Sequence, residues 1–207
     1  MLKKCYKENV IEAGVDEVGR GCLAGIVVAA AVILPTNVEI PNLKDSKQLS
    51  PAMRKELSTY IIHQAIAYAI GVASVEEIDR LNILQATYLA MHRAIEQLKP
   101  LPMHLLVDGN QFKPYPGITH TCIVKGDAQY QSIAAASVLA KNYRDAYMHE
   151  LSKLYPEYQW DKNVGYPTPQ HIQAISKYGY TVHHRKSFVV KALQPKLFSP
   201  SEKDTLL

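Results

Sequence analysis

Hydrophobic residues recur with two different periods along this chain, and the switches between them outline its elements. Val10 to Asp16 (VIEAGVD) is a short β-type run that stops at Gly19-Arg20-Gly21, and Gly25 to Leu34 (GIVVAAAVIL) is apolar on both faces, as in a strand buried between two layers. The two are expected to pair around the glycine turn. Beyond a polar loop, Ser50-Pro51 supplies a helix start, a Ser cap followed by Pro in the first turn, with Leu57, Tyr60, Ile61 and Gln64 at helical spacing. Ile66 to Ser74 reads as a third strand. From Val75 to Leu98 the spacing is helical again, with a break near Leu81-Asn82 and an end at Pro100-Leu101-Pro102. His104 to Val107 (HLLV) is a very short apolar strand that runs into the turn sequence Asp108-Gly109-Asn110. Thr119 to Val124 predicts another strand, leading into Lys125-Gly126-Asp127. Gln131 to Leu154 is Ala-rich, free of Pro and Gly, and predicts a long helix. Strands first and alternating elements afterwards predict an α/β fold, a mixed sheet flanked by helices, with carboxylates delivered at loop ends along one edge.

Composition narrows the class without naming a function. With 207 residues, 47% hydrophobic and 20% charged, the chain suits one domain, or one with a small appendage, and excludes a disordered, collagen-like or disulfide-stapled protein. Cys5, Cys22 and Cys122 form no metal-type spacing, so free thiols in a reducing cytoplasm are expected and zinc is not. The longest apolar run, Leu23 to Leu34, falls short of the ~20 residues that span a bilayer, and no membrane role follows.

The candidate chemistry lies in four acids at places where strands give way to loops: Asp16, Glu17, Asp108 and Asp127. One such acid alone reads as a turn former or a solvated charge. Four together repel one another and raise one another's pKa, for which a divalent cation is the natural compensation. Hard oxygen ligands without His or Cys select Mg²⁺ or Mn²⁺. Neighbouring strand residues point to opposite faces, so the strand is expected to end at Asp16-Glu17. A twist at Gly19 and Gly21 would then bring both carboxyl groups round; otherwise the Glu17 carbonyl serves as a ligand. The chain carries 23 Lys and Arg against 19 Asp and Glu, a net +4; with the four acids neutralised the balance is 23 against 15, or +8, a surface suited to phosphate.

The motifs DEVGRG (Asp16 to Gly21), LAG (Leu23 to Gly25), DSKQLS (Asp45 to Ser50), VDG (Val107 to Gly109), KGDA (Lys125 to Ala128), SIAAASVLAKNYRD (Ser132 to Asp145), GYPT (Gly165 to Thr168), His171 and HRKSF (His184 to Phe188) follow one another from about residue 10 to 190. Together they resemble the bacterial ribonuclease HII family, the type 2 ribonucleases H. The resemblance implies a ribonuclease H-like fold with a mixed five-stranded sheet and a helical C-terminal portion, over residues 1–190, followed by a tail at 191–207. It implies a metal-dependent endonuclease of DNA replication and repair that hydrolyses the RNA strand of RNA/DNA hybrids and incises 5′ to ribonucleotides embedded in DNA. Two Mg²⁺ or Mn²⁺ ions would be held by Asp16, Glu17, Asp108 and Asp127, and the products would carry 3′-hydroxyl and 5′-phosphate ends.

The same resemblance assigns recognition of the 2′-hydroxyl, the group that separates RNA from DNA, to Gly19, Arg20, Gly21 and Tyr166. In isolation these glycines read as a hairpin turn and Tyr166 as a packed aromatic. Lys47, Lys125, Lys141 and Arg144 are candidate phosphate contacts, with Ser132 and Ser137 as further donors or as back-bonded helix residues. His184 and Arg185 are assigned to packing or backbone contact. The family pattern has Pro where this chain has Cys22 and Ile26, and a thiol beside the reading loop suggests sensitivity to oxidation. Gln194, Leu197 and Phe198 have the Gln-x-x-Leu-Phe spacing that resembles sliding-clamp-binding peptides; the alternative is that Leu197 and Phe198 pack back on the domain. A monomer is expected. Three rival readings stand: a ribonuclease HIII, whose usual N-terminal domain the nine residues before Val10 do not provide; a catalytically silent hybrid-binding module; and another nuclease or integrase of the same fold.

Overall fold

The computed structural model describes residues 2–43, 50–190 and 193. Strands β1 (Glu12–Val18), β2 (Val27–Ile33), β3 (Ala67–Ala73), β4 (His104–Asp108) and β5 (Thr119–Ile123) form one sheet in the order β3-β2-β1-β4-β5. The three left-hand strands pair antiparallel, and β4 and β5 continue parallel to β1, so the sheet is mixed and five-stranded, as expected.

Period-2 alternation in β1 and β4 separates two packing layers. Ala13, Val15, Leu105 and Val107 point to one face, where they meet Ala90, Met91, Ala94 and Ile95 of α3 (Ile83–Glu96). The opposite face carries Val28, Ala30 and Val32 of β2 against α1 (Pro51–Gln64) and α4 (Gln131–Leu154). Gly14 is on this second face, and a Cβ there would run into the backbone of Ser132 and Ile133. The start of α4 therefore lies directly on β1, with no side chain between them.

The helix boundaries follow local chemistry. Ser50 caps α1 by accepting from the Met53 amide at 3.3 Å, and Pro51 occupies the first turn. The break expected near Leu81-Asn82 separates α2 (Val75–Leu81) from α3: Asn82 takes φ 69° and its side chain accepts from the amides of Leu84 and Gln85. The C-terminal portion is only partly helical. A 3₁₀ turn (Pro156–Tyr158), the four-residue α5 (Trp160–Asn163) and α6 (Pro169–Tyr178) pack with Leu23 and Ala24 around Trp160, and the segment after α6 returns to the loop between β1 and β2, bridging Ala24 to His184. Among the described residues no helix is long and apolar enough to cross a membrane.

Candidate active site

Because β1 and β4 are parallel neighbours with Val15 opposite Val107, Asp16 and Asp108 lie side by side at the C-terminal ends of their strands. By alternation both belong to the face covered by α4. Asp16 is 5% exposed; its Oδ1 accepts from the Glu17 amide at 2.7 Å, and its carboxylate is also hydrogen-bonded to Ser137 of α4. Asp108 Oδ1 accepts from the Gly126 amide at 2.7 Å. That bond ties the end of β4 to the 3₁₀ turn Gly126–Ala128, in which Asp127 is buried just ahead of α4. Lys125 enters this turn in the left-handed conformation, φ 55°, and is itself exposed.

Glu17 stands apart. The expected end of the strand between the two acids is not there: pairing with β2 runs unbroken through Glu17 opposite Ala29 and Val18 opposite Val28. Glu17 consequently faces the α3 side, in a cleft it shares with Arg20, Thr87, Tyr88, Asp108 and Asn110. Its Oε1 accepts from Arg20 Nη1 at 3.2 Å. The strand register aims the Glu17 side chain to the α3 side, yet its charge still acts on Asp16, and Asp108 lines the same cleft.

The electrostatics are those of an anionic site suited to a cation. Burial, followed by the charges of Glu17 and Asp108, pushes the Asp16 carboxyl well above its ordinary range, while bonds from Ser137 and the Glu17 amide oppose the rise. Burial also raises Glu17, against the pull of Arg20. Among the described residues no three His, Cys, Asp or Glu side chains are drawn together tightly enough to hold an ion as a closed group. The donors are all oxygens on converging elements, which fits Mg²⁺ or Mn²⁺, ions commonly held by one or two carboxylates with water and substrate phosphate completing the shell.

The glycine loop and Tyr166 are far apart in sequence and joined in space. Leu23 N donates to Gly165 O at 2.8 Å, Arg185 N to Leu23 O at 2.9 Å and Gly25 N to His183 O at 2.8 Å, so the loop after β1 is clasped by two C-terminal segments. Burial raises the pKa of the Tyr166 phenol, and the Cys22 thiol lies close enough to raise it further. Gly19 has φ 95°, and a Cβ on it would collide with the Arg144 side chain; at Gly21 no atom lies within 4 Å of the Cβ position. Arg20, with its side chain 49% exposed, and Tyr166, 39% exposed, present their side chains to solvent at this surface.

Several candidate contacts need correction. Arg144, expected at phosphate, is fully buried: Nε donates to Ile26 O at 2.9 Å, Nη1 to Val164 O at 2.8 Å and Nη2 to Ala24 O at 3.0 Å. With its guanidinium committed to three carbonyls, it organises the loop from within. Lys141 is half-buried and paired with Asp145 at 2.7 Å, a carboxylate that also receives Arg54 at 2.8 Å. Ser132 and Ser137 are buried, Ser137 against Asp16. Lys47, Gln194, Leu197 and Phe198 lie outside the described residues. Cys22 has no exposed surface and burial raises its thiol pKa, the opposite of a reactive thiolate, so the oxidation-sensitive loop is not supported.

Sequence reasoning left the pairing partners of two residues unseen. Arg185 supports the same loop as Arg144, donating to the carbonyls of Gly25, Arg20 and Ile26 at 2.9, 2.9 and 3.3 Å. His171 stands in the sequence only as a motif residue, yet its Nδ1 meets the Tyr166 carbonyl at 2.9 Å.

Comparison with known proteins agrees with this geometry. Residues 13–191 match the ribonuclease HII family. The ribonuclease HII of Parabacteroides distasonis is 61% identical over 190 residues, 92% of this chain and 96% of its own length. That of Porphyromonas gingivalis is 53% identical over 94% of this chain and 98% of its own. Among solved structures, ribonuclease H2 from Pyrococcus horikoshii OT3 superposes with a TM-score of 0.72 at 28% identity, covering 86% of this chain and 93% of that one. The ribonuclease HII of Archaeoglobus fulgidus, solved in complex with PCNA, shares the fold with a TM-score of 0.73 at 24% identity, over 91% and 98%. With its sheet topology, its acids at the ends of β1 and β4 and this span of similarity, the chain belongs to the ribonuclease HII family.

Proposed function

We infer that this protein hydrolyses the RNA strand of RNA/DNA hybrids and incises duplex DNA 5′ to an embedded ribonucleotide, leaving 3′-hydroxyl and 5′-phosphate ends. The observation that carries this reading is the placement of buried Asp16 beside Asp108 at the ends of two parallel strands, with Asp108 bonded to the turn that bears Asp127. Asp16, Asp108 and Asp127 are the residues to hold divalent ions, with Glu17 contributing from the other side of the strand. Such ions supply a water activated for in-line attack on phosphorus and stabilisation of the leaving 3′ oxygen.

The chain's own residues prepare that chemistry. Ser137 and the Glu17 amide orient the Asp16 carboxylate, and the Gly126 amide orients Asp108, so these ligands are fixed before substrate arrives. Gly21 leaves bare backbone and Tyr166 an exposed ring at the same surface, suited to a sugar bearing a 2′-hydroxyl. Arg20 and Lys125 remain exposed for phosphate, Lys125 at the turn that carries Asp127.

Incubation with Mg²⁺ and a DNA duplex containing one ribonucleotide tests this. Incision 5′ to that residue, lost with chelator and on an all-DNA duplex, is expected; binding without cleavage would identify a silent hybrid-binding module instead. The Gln194-x-x-Leu197-Phe198 spacing favours an additional reading, docking of the tail on a sliding clamp. A tail peptide is expected to bind a purified bacterial clamp, and equal binding by its Leu197→Ala/Phe198→Ala version would dismiss it.

A further inference from the structure

Behind Tyr166 lies a cluster of buried aromatic and imidazole groups whose protons can be placed one by one. Trp160 Nε1 is a donor only, and it donates to His171 Nε2 at 3.1 Å. His171 Nε2 is therefore an acceptor and the ring proton sits on Nδ1, which donates to the Tyr166 carbonyl at 2.9 Å. His184 is fixed from its other end. The Thr181 amide donates to His184 Nδ1 at 2.9 Å, so that ring carries its proton on Nε2, 3.1 Å from His171 Nε2. His171 Nε2 thus receives two N–H groups, and the chain of bonds runs in one direction, from the Thr181 amide through both imidazoles to the backbone of Tyr166.

We propose that His171, held in its Nδ1–H tautomer by Trp160 and His184, is a positioning residue that sets the Tyr166 backbone and thereby the ring that reads the ribose. This rests on the role of Tyr166 under Proposed function. Both imidazoles are almost wholly buried, and burial keeps them neutral, lowering His171 and taking His184 down to about 3. A charged His171 would need a proton on Nε2, where Trp160 and His184 already donate. The Tyr166 carbonyl also accepts from the Thr168 amide at 2.8 Å, and the Tyr166 amide donates to Asn163 O at 2.9 Å, so the peptide is gripped on both sides. Asn163 ties the amide side of this peptide to the helix that begins at Trp160, and His171 ties the carbonyl side to Trp160 and His184. Since Gly165, the preceding residue, accepts from Leu23, a shift of this segment is passed to the glycine loop as well.

Two substitutions of similar bulk separate positioning from packing. Asn at 171 carries its amide N–H near the Nδ1 position and keeps a donor for Tyr166; Gln carries its polar end near the Nε2 position and loses it. His171→Gln is expected to lower kcat/KM for single-ribonucleotide incision by about tenfold, the worth of one hydrogen bond, and His171→Asn by no more than about threefold. Affinity for an all-DNA duplex should be unchanged in both. Equal activity of the two variants would overturn the proposal. Tyr166→Ala is measured alongside: if it cuts normally, the reading of Tyr166 falls and takes the proposal with it, whereas an impaired Tyr166→Ala with equal variants at 171 sinks the proposal alone. Should either variant not fold, ¹⁵N NMR of the native protein decides. Nδ1–H on His171 and Nε2–H on His184 at pH 5 support the arrangement, and a charged ring or the reverse tautomer at either residue overturns it.

Discussion

The carboxylate end of the sheet and the C-terminal portion clasped around the glycine loop both bury titratable groups, and they do so in opposite ways. Asp16 is buried beside like charges, raised by burial and by Glu17 and Asp108, and its own hydrogen bonds only partly offset this. His171, His184, Arg144 and Arg185 are buried with donors and acceptors matched, the histidines neutral and the arginines spread over backbone carbonyls. One region gathers like charges that a cation would relieve; the other directs its polar groups to backbone and ring partners and lends rigidity to its neighbour, although burial and like charges still lower His184 and Arg185. Buried carboxylates facing one another thus mark the functional centre here, and buried cations and imidazoles bonded to backbone mark its scaffold.

The largest expected effect sharpens this contrast at Asp16. Asp16→Asn keeps an oxygen to accept from Glu17 and Ser137 but removes the ligand charge, so activity should fall by roughly a thousandfold or more. Its metal-free melting temperature should rise, by roughly 2–4 °C for each kcal/mol of repulsion removed. A lower melting temperature in calorimetry would show that Asp16 is stabilised as it stands. Arg144→Met is the opposite case. It leaves the carbonyls of Ala24, Ile26 and Val164 buried without this donor and should cost about 2–4 kcal/mol in urea unfolding. A cost below about 1 kcal/mol would mean that other groups satisfy those carbonyls.

Cation addition is a smaller probe of the same difference. Mg²⁺ at a hundred times its dissociation constant should stabilise the native protein by about 2.7 kcal/mol and leave Asp16→Asn nearly unmoved. Equal stabilisation of both would place the ion elsewhere. The smallest effect is the acid response of the histidine pair. Because His184 falls to about 3 in the folded protein from the ordinary 6.5, the unfolded chain takes up a proton first as pH drops. Its contribution is present above about pH 6.5 and is lost progressively as pH falls toward 3. His184→Gln should show a shallower decline in melting temperature over that interval, and parallel curves would contradict the neutral pair.

Much of the fold was legible because it rests on local signals. The two-faced apolar run of β2, the Ser50-Pro51 start and the break realised at Asn82 each follow from a few neighbouring residues. The acids were legible as residues at strand ends. Their facing was not, since it depends on how far β1 stays paired: Val18 lies opposite Val28, so the Glu17 side chain leaves on the α3 side of the sheet. Arg144 looked like a surface charge because the atoms that consume it, at Ala24 and Ile26, lie about 120 residues away along the chain. The meeting of His171 with His184 and Trp160 likewise depends on the return of the chain after α6, for which no periodicity speaks.

Single-turnover incision of a DNA duplex with one ribonucleotide, by native protein and Asp16→Asn in Mg²⁺, tests the central claim most directly. The account predicts a cut 5′ to the ribonucleotide with 3′-hydroxyl and 5′-phosphate ends by the native protein, and a rate lower by roughly a thousandfold in a variant that is folded and at least as stable. Cutting at comparable rates by both, or none by the folded native protein, would contradict it.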